Sequence, residues 1–153
     1  MFRLLAALLV LLTACDLNSF RRTPMFAPDT FAPELGVDVK AMTETASGLR
    51  FQNVLTGPGP VAASGSEVDV HYTGWLPDGK KVDSSRDRGT PLSFRLGSGQ
   101  VIRGWEEGVA GMRVGGRRKL VIPAKLGYGA QPVGPIPRNS ILVFDVELVG
   151  VRP

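Results

Sequence analysis

The chain has 153 residues, 18 Lys+Arg against 14 Asp+Glu, and 19 Gly with 12 Pro; Gly and Pro make up about a fifth of it, against roughly an eighth on average. That length holds one ordinary domain with a tail. The Gly and Pro excess opposes a helical bundle, and 43% hydrophobic residues oppose disorder. One Cys and one His exclude a thiolate–imidazole metal cage and an internal disulfide within a single chain, and a formal charge of +4 is weak ground for a nucleic-acid partner, so none is predicted.

Residues 1–15 read MFRLLAALLVLLTAC. Arg3 precedes an unbroken apolar run from Leu4 to Leu12. Nine residues of helix rise about 14 Å, too short for a bilayer core of roughly 30 Å. A basic start, a short apolar core and small residues before a cut describe a secretory signal peptide. Leu12-Thr13-Ala14-Cys15 resembles the bacterial lipobox, in which the Cys is lipidated and becomes the first mature residue. The plainer alternative is an ordinary signal peptide that happens to contain a Cys. The lipobox reading divides the chain into a signal peptide over 1–14, a tether over 15–43 beginning at lipidated Cys15, and a domain over 44–153. It predicts an exported protein anchored to a membrane of the cell envelope, on its periplasmic or outer side.

Residues 16–43 hold Pro24, Pro28 and Pro33 and no sustained helical period. They read as a mostly extended tether, which at about 28 residues reaches at most on the order of 95 Å. The alternative is that Phe26, Phe31 and Leu35 dock on the domain or a partner. No long amphipathic helix offers a dimerisation stalk, so a monomer is predicted.

From about Thr43 the pattern becomes that of a sheet. Leu49 and Phe51 mark a first strand, ended by Gly57-Pro58-Gly59-Pro60. Val68, Val70 and Tyr72 alternate along Glu67 to Thr73, as a half-buried strand requires, and Pro77-Asp78-Gly79 signals a turn. Leu92, Phe94 and Leu96 alternate again. Val101, Trp105 and Val109 share the face of one short helix, closed by Gly111 or Gly115. Arg118, Leu120 and Ile122 alternate with Arg117, Lys119 and Val121. A Gly/Pro loop from Gly127 to Asn139 leads to a last strand over 141–149. Strands on both sides of one short helix predict an α+β domain with a curved antiparallel sheet wrapped on that helix.

The segments Val70-His-Tyr-Thr-Gly-Trp-Leu76, Asp83-Ser-Ser-Arg-Asp-Arg88, Val101-Ile-Arg-Gly-Trp-Glu-Glu-Gly-Val109, Tyr128-Gly-Ala130 and Leu142-Val-Phe-Asp-Val-Glu-Leu148 follow in that order. Together they resemble the FKBP-type peptidyl-prolyl cis–trans isomerases, over about residues 45–151. The resemblance implies a five- to six-stranded antiparallel half-barrel around the helix. It also implies an apolar pocket between helix and sheet, with Tyr72, Asp83, Trp105, Tyr128 and Phe144 as catalytic residues. Val82, Arg88, Leu92, Val101, Ile102 and Ile136 would complete the substrate site. Trp105 would form the floor under the proline ring, and the Ile102 N–H and Tyr128 hydroxyl would hold substrate carbonyls. Asp83 would sit at the rim between Tyr72 and Arg88. Val82 stands where the family usually has Phe, and the loop Gln131 to Pro137 is rewritten. The implied partners are proline-containing polypeptides and macrolide inhibitors, with no cofactor and no metal. The alternative function is a lipid-anchored module that binds proline segments with little turnover.

Isomerisation of an X-Pro bond needs no nucleophile. Its barrier of roughly 18–20 kcal/mol is amide resonance, and an apolar, water-poor site favours the twisted, less dipolar amide over the planar one. Other signals read plainly. His71 is structural or solvated, Glu106 and Glu107 lie on a solvated face, and Gly97-Ser98-Gly99 is a turn. The basic cluster of Arg113, Arg117, Arg118 and Lys119 reads as a solvated strand edge, with anionic lipid or an acidic client as the alternative.

Overall fold

The structure, a computed structural model, describes residues 30–153; the lipobox, Cys15 and Phe26 lie outside the described residues. Strands β1 (Thr43–Glu44), β2 (Arg50–Leu55), β3 (Glu67–Trp75), β4 (Lys81–Ser84), β5 (Leu92–Arg95), β6 (Arg117–Ile122) and β7 (Leu142–Arg152) form one antiparallel sheet. Their order is β1-β2-β6-β7-β3-β4, with β5 also paired to β3. Helix α1 (Ser85–Arg88) follows β4, and α2 (Arg103–Val109) fills the concave side. The α+β half-barrel stands, with seven strands rather than five or six. The addition comes from the two-residue β1 and from the edge of β3, which two short strands share.

That shared edge matters for the site. β5 pairs with Glu67–Val70 of β3 and β4 with Thr73–Trp75, so neither serves the backbone of Tyr72. A buried amide left unpaired is costly, and two serines supply the missing partners. Tyr72 N–H donates to Ser85 Oγ at 2.8 Å, and Ser84 Oγ donates to Tyr72 C=O at 3.2 Å. Ser85 is fully buried. Ser84 also N-caps α1 by accepting from Arg86 N at 3.2 Å, and Gly89, at φ +71°, ends the helix. This four-residue helix has no period long enough to read from sequence. His71, whose Nδ1 lies 2.9 Å from Ser85 Oγ, joins the same stitching.

The inward residues of β3, β6 and β7 close on α2. Val68, Val70, Leu120, Ile122, Leu142, Val146 and Leu148 are completely buried with Val109. The helix lies close to β6 because two of its residues lack side chains. A Cβ at Gly104 would stand 2.5 Å from Ile122 Cγ2, and one at Gly108 would stand 2.7 Å from Leu120 Cδ1. Each Gly costs the helix up to about 1 kcal/mol relative to Ala. The close approach this permits sets Trp105 into the core, 3% exposed.

The outer face of the sheet carries a second apolar cluster, and here the extended-tether reading gives way over residues 31–43. Leu35, 4% exposed, packs on Val121 and Val143, flanked by Phe31, Ala32, Val37, Met42, Trp75 and Ile141. Two 3₁₀ turns, Pro33–Leu35 and Val39–Ala41, fold the segment onto the sheet, and β1 joins it to β2. Ala32 N donates to Pro77 O at 2.7 Å, and Lys119 Nζ donates to Leu35 O. Phe31 and Leu35 thus dock, because β6 and β7 offer Val121 and Val143 on a face that would otherwise be bare.

Two further readings change. The basic cluster is only partly a solvated edge: Arg113 and Arg117 are exposed, though Arg117 makes a bidentate pair with Asp145 at 2.7 Å, while Lys119 serves Leu35 and Arg118 is buried. Nor do the two glutamates simply face solvent. Glu106 accepts the backbone N–H groups of Gly97 and Gly99, and Glu107 accepts from Ser47 Oγ at 2.7–2.8 Å.

Candidate active site

Between α2, β3 to β5, β7 and the loop after β6 lies a cavity of about 860 Å³, within the range of small-molecule and peptide sites. Its core is aromatic. Trp105 projects from the first turn of α2 and meets Tyr72 edge-on at 4.7 Å between ring centroids and 84°, and Phe144 at 5.3 Å and 89°. Phe94 lies against Trp105 at 6.0 Å. Edge-to-face contacts of this kind suit the ring quadrupoles. The Phe144 ring lies over Gly74, its register partner across β3 and β7, where a Cβ would stand 2.4 Å from Phe144 Cε1.

At the rim, Tyr72 Oη donates to Asp83 Oδ2 at 2.5 Å, and Arg88 donates through Nη2 to Tyr72 Oη at 2.7 Å and through Nη1 to Asp83 Oδ1. Ser84 N–H adds a bond of 2.8 Å to Asp83 Oδ1. Burial pulls the Asp83 carboxyl upward, but the bonds from Tyr72 and Arg88, the Arg88 charge and the Ser84 N–H outweigh it. The net position is below the ordinary carboxylate value. The Tyr72 hydroxyl is pushed up, first by burial and then by its bond to Asp83. Tyr72 therefore keeps its proton and Asp83 its charge, a fixed donor–acceptor pair at neutral pH.

Two donors at the cavity remain unused. Among the described residues, nothing accepts from the Ile102 N–H or the Tyr128 hydroxyl. Ile102 precedes the first residue of α2, so its N–H is one of the groups a helix start leaves unpaired. Tyr128 is 39% exposed. Its hydroxyl is pushed up by burial and by the Asp83 charge.

Tyr72, Val82, Asp83, Leu92, Val101, Ile102, Trp105, Tyr128, Ile136 and Phe144 line the cavity. Arg88 stands at its edge and acts through Tyr72 and Asp83. The sequence reading missed Ser93, Phe94, Gln100, Val133, Gly134 and Pro135. Phe94 was within reach, since the alternation of Leu92, Phe94 and Leu96 already turned it inward. Gln100 gave no signal; its Oε1 accepts from Arg95 N at 2.8 Å. The loop residues form a hairpin closed by Val133 N–H to Ile136 O at 3.0 Å and Ile136 N–H to Val133 O at 2.9 Å, with Gly134 at φ +52°. That turn tucks Ile136 into the cavity, 8% exposed, and leaves Val133 40% exposed at its mouth. Among the described residues, no group of three or more His, Cys, Asp or Glu gathers to hold a metal.

A half-barrel that presents an aromatic pocket beside its one substantial helix defines a class. The sequence profile of FKBP-type peptidyl-prolyl cis-trans isomerase matches residues 59–149, and the chain belongs to that family. It is 52% identical over 105 residues to an FK506-binding protein of Neisseria meningitidis serogroup B, covering 68% of this chain and 96% of that one. It is 60% identical over 90 residues to FK506-binding protein 2 of Dictyostelium discoideum, covering 58% and 68% of the two chains. The crystal structure of AtFKBP13 superposes with a TM-score of 0.70 at 41% identity, over 72% of this chain and 98% of that one. FkpA from Escherichia coli superposes with a TM-score of 0.70 at 45% identity, over 79% and 55%.

Proposed function

We propose that the aromatic cavity is where this FKBP-type isomerase turns X-Pro bonds, and that its clients are exported or envelope proteins. The observation that carries the first part is the pairing of a Trp105 floor with two unused donors, Ile102 N–H and Tyr128 Oη. The proline ring rests on Trp105 between Tyr72 and Phe144, where burial of its apolar surface supplies binding. The two donors fix the carbonyls that flank the reacting bond and leave the C–N axis free to turn. The twisted amide has lost part of its dipole, so the apolar walls disfavour it less than they disfavour the planar forms. Tyr72, tied to Asp83 and Arg88, keeps that wall rigid. In a protease-coupled assay on a short X-Pro peptide, micromolar protein should accelerate isomerisation; no acceleration refutes catalysis here and leaves the rival reading of a module that only holds proline segments. The exposed Val133 and Tyr128 at the mouth favour that rival as a second role for longer clients.

The names of the relatives support a further point: FK506 should compete with peptide for the same cavity. The lipobox at Leu12 to Cys15 supports export and membrane anchoring. With the segment 31–43 docked, the residues between Cys15 and Thr30 set the longest possible distance from a lipidated Cys15 to the domain, at most about 50 Å. Among the described residues, no helix is long and apolar enough to cross a membrane. In a bacterial host, Cys15→Ser should abolish the mass of the lipid and move the protein out of the membrane fraction; unchanged mass and fractionation refute the anchor.

A further inference from the structure

Arg118 lies on the face of β6 that also carries Leu120 and Ile122, where the alternation calls for an apolar side chain. It is 91% buried, being only 9% exposed. Its Nε donates to Asn53 Oδ1 at 2.7 Å, and its Nη1 donates to Gly108 O at 2.9 Å and Ala110 O at 3.3 Å. Its Cζ lies 4.8 Å from the centre of the Phe51 ring. Every one of these partners is neutral. Among the described residues, no carboxylate pairs with Arg118 and nothing accepts from its Nη2. Burial alone displaces its pKa, downward, with no anion acting in the other direction.

A buried cation without a counter-charge is expensive, and buried charges are normally paired. The carbonyls that end α2 carry the negative pole of the helix, which offsets only about half a charge. Beside Arg118 is a notch of about 70 Å³, room for a group the size of one or two waters. Thr56 and Arg113 line it with Arg118. Arg113 uses Nη1 on Gly59 O at 3.3 Å, and the Thr56 hydroxyl has no partner among the described residues. Arg113, Arg118 and Thr56 therefore share the lining of a small space that no acid lines. The space is also reachable. Trp105 Nε1 is the one unpartnered side-chain polar atom fully shut off from solvent among the described residues, so Arg118 Nη2 is not sealed in.

We propose that this notch, beside the C-terminal end of α2, binds one small monovalent anion, a carboxylate or a chloride ion, on Arg118 Nη2, Arg113 and Thr56 Oγ1. The anion completes the neutralisation that the helix end begins. The small notch volume favours small anions.

Melting of the full chain tests this. At fixed pH and ionic strength, sodium methanesulfonate, whose tetrahedral sulfonate is bulkier than a carboxylate or a chloride ion, is replaced stepwise by millimolar sodium formate or sodium chloride. The expected result is a saturable rise in Tm of roughly 3–6 °C with formate, chloride or both. A response to formate alone assigns a carboxylate as occupant; a response to both assigns any small anion. Arg118→Met should abolish the rise. Should that variant fail to fold, Thr56→Val, which leaves the bonds from Arg118 to α2 in place, should move saturation to several-fold higher concentration. Identical melting in all three salts overturns the proposal. So does a rise that persists unchanged in Arg118→Met or Thr56→Val.

Discussion

Gly74→Ala isolates one contact that builds the aromatic cavity. Gly74 lies inside β3 with an ordinary strand backbone; it is not among the positive-φ glycines. Taken alone, the exchange should then stabilise the protein by about 0.4–1 kcal/mol, because alanine loses less chain entropy on folding. The new methyl instead meets the Phe144 ring at 2.4 Å from Cε1, 2.8 Å from Cδ1 and 3.1 Å from Cζ. Carbon atoms rest about 3.5–4.0 Å apart, so the ring has to retreat by more than 1 Å. It retreats toward Trp105, 5.3 Å away and perpendicular, or it forces β3 and β7 apart. Overpacking of this kind costs about 1–3 kcal/mol, which exceeds the entropic gain. The expected outcome is a net loss of about 0.5–2 kcal/mol in urea unfolding, with kcat/KM for an X-Pro peptide down roughly tenfold to a hundredfold. Combining Gly74→Ala with Phe144→Leu should give a coupling energy of about 1 kcal/mol in the favourable direction, since a smaller side chain vacates the space. Wild-type stability and turnover in Gly74→Ala would show that the missing Cβ does not set the ring, and would sink the reasoning.

Three other outcomes follow from the same structure. Asp83 ionises below its ordinary value in the folded protein, so its contribution to stability is present above the unfolded value of about 3.9 and disappears as pH falls through the lower folded one. Tyr72→Phe removes one of the bonds responsible, and a carboxyl titration by NMR should find Asp83 moved upward; an unmoved Asp83 contradicts the network. Trp105 Nε1 is buried without a partner, a cost of about 1–3 kcal/mol. Trp105→Phe, which removes that donor as well as packing, should therefore destabilise by under about 2 kcal/mol in denaturant unfolding, short of the 3–5 kcal/mol of a Trp→Ala truncation, and a larger loss would mean the N–H has a partner. Leu35→Ala should cost about 2–4 kcal/mol through the cluster with Val121 and Val143 while leaving kcat/KM near wild type, because the segment lies across the sheet from the cavity; a stability within 0.5 kcal/mol or so of wild type would mean the segment is not held.

Much of the site was legible because the chemistry needs large or special residues. Tyr72 was identifiable as inward-facing from the alternation of Val68, Val70 and Tyr72, and Trp105 from its spacing to Val101 and Val109. Asp83, Arg88, Tyr128 and Ile102 came from motif resemblance alone, since nothing in their spacing says that they meet. Ser85 was invisible. Its hydroxyl matters only because β4 and β5 abandon Tyr72 between them, and that gap exists only once the sheet is assembled. The docking of Leu35 was equally hidden, as a Pro-rich stretch looks the same whether or not a distant sheet face is waiting for it.

What the sequence determined by itself is the pattern of local preferences. Alternation laid out the longer strands, glycines and prolines marked the turns, and the i, i+4 pair of Trp105 and Val109 lies on the one helix with a readable period, which starts at Arg103 and leaves Val101 outside it. These follow from backbone geometry and the two periods of side-chain direction, which need no knowledge of the rest of the chain. Tertiary structure decided what each polar group faces. It buried Arg118 among neutral acceptors, turned Glu106 onto a loop, and left Ile102 N–H and Tyr128 Oη unclaimed at the cavity. The physical reason is range: a hydrogen bond or a desolvated charge depends on atoms brought together from distant parts of the chain, and no local pattern encodes their arrival.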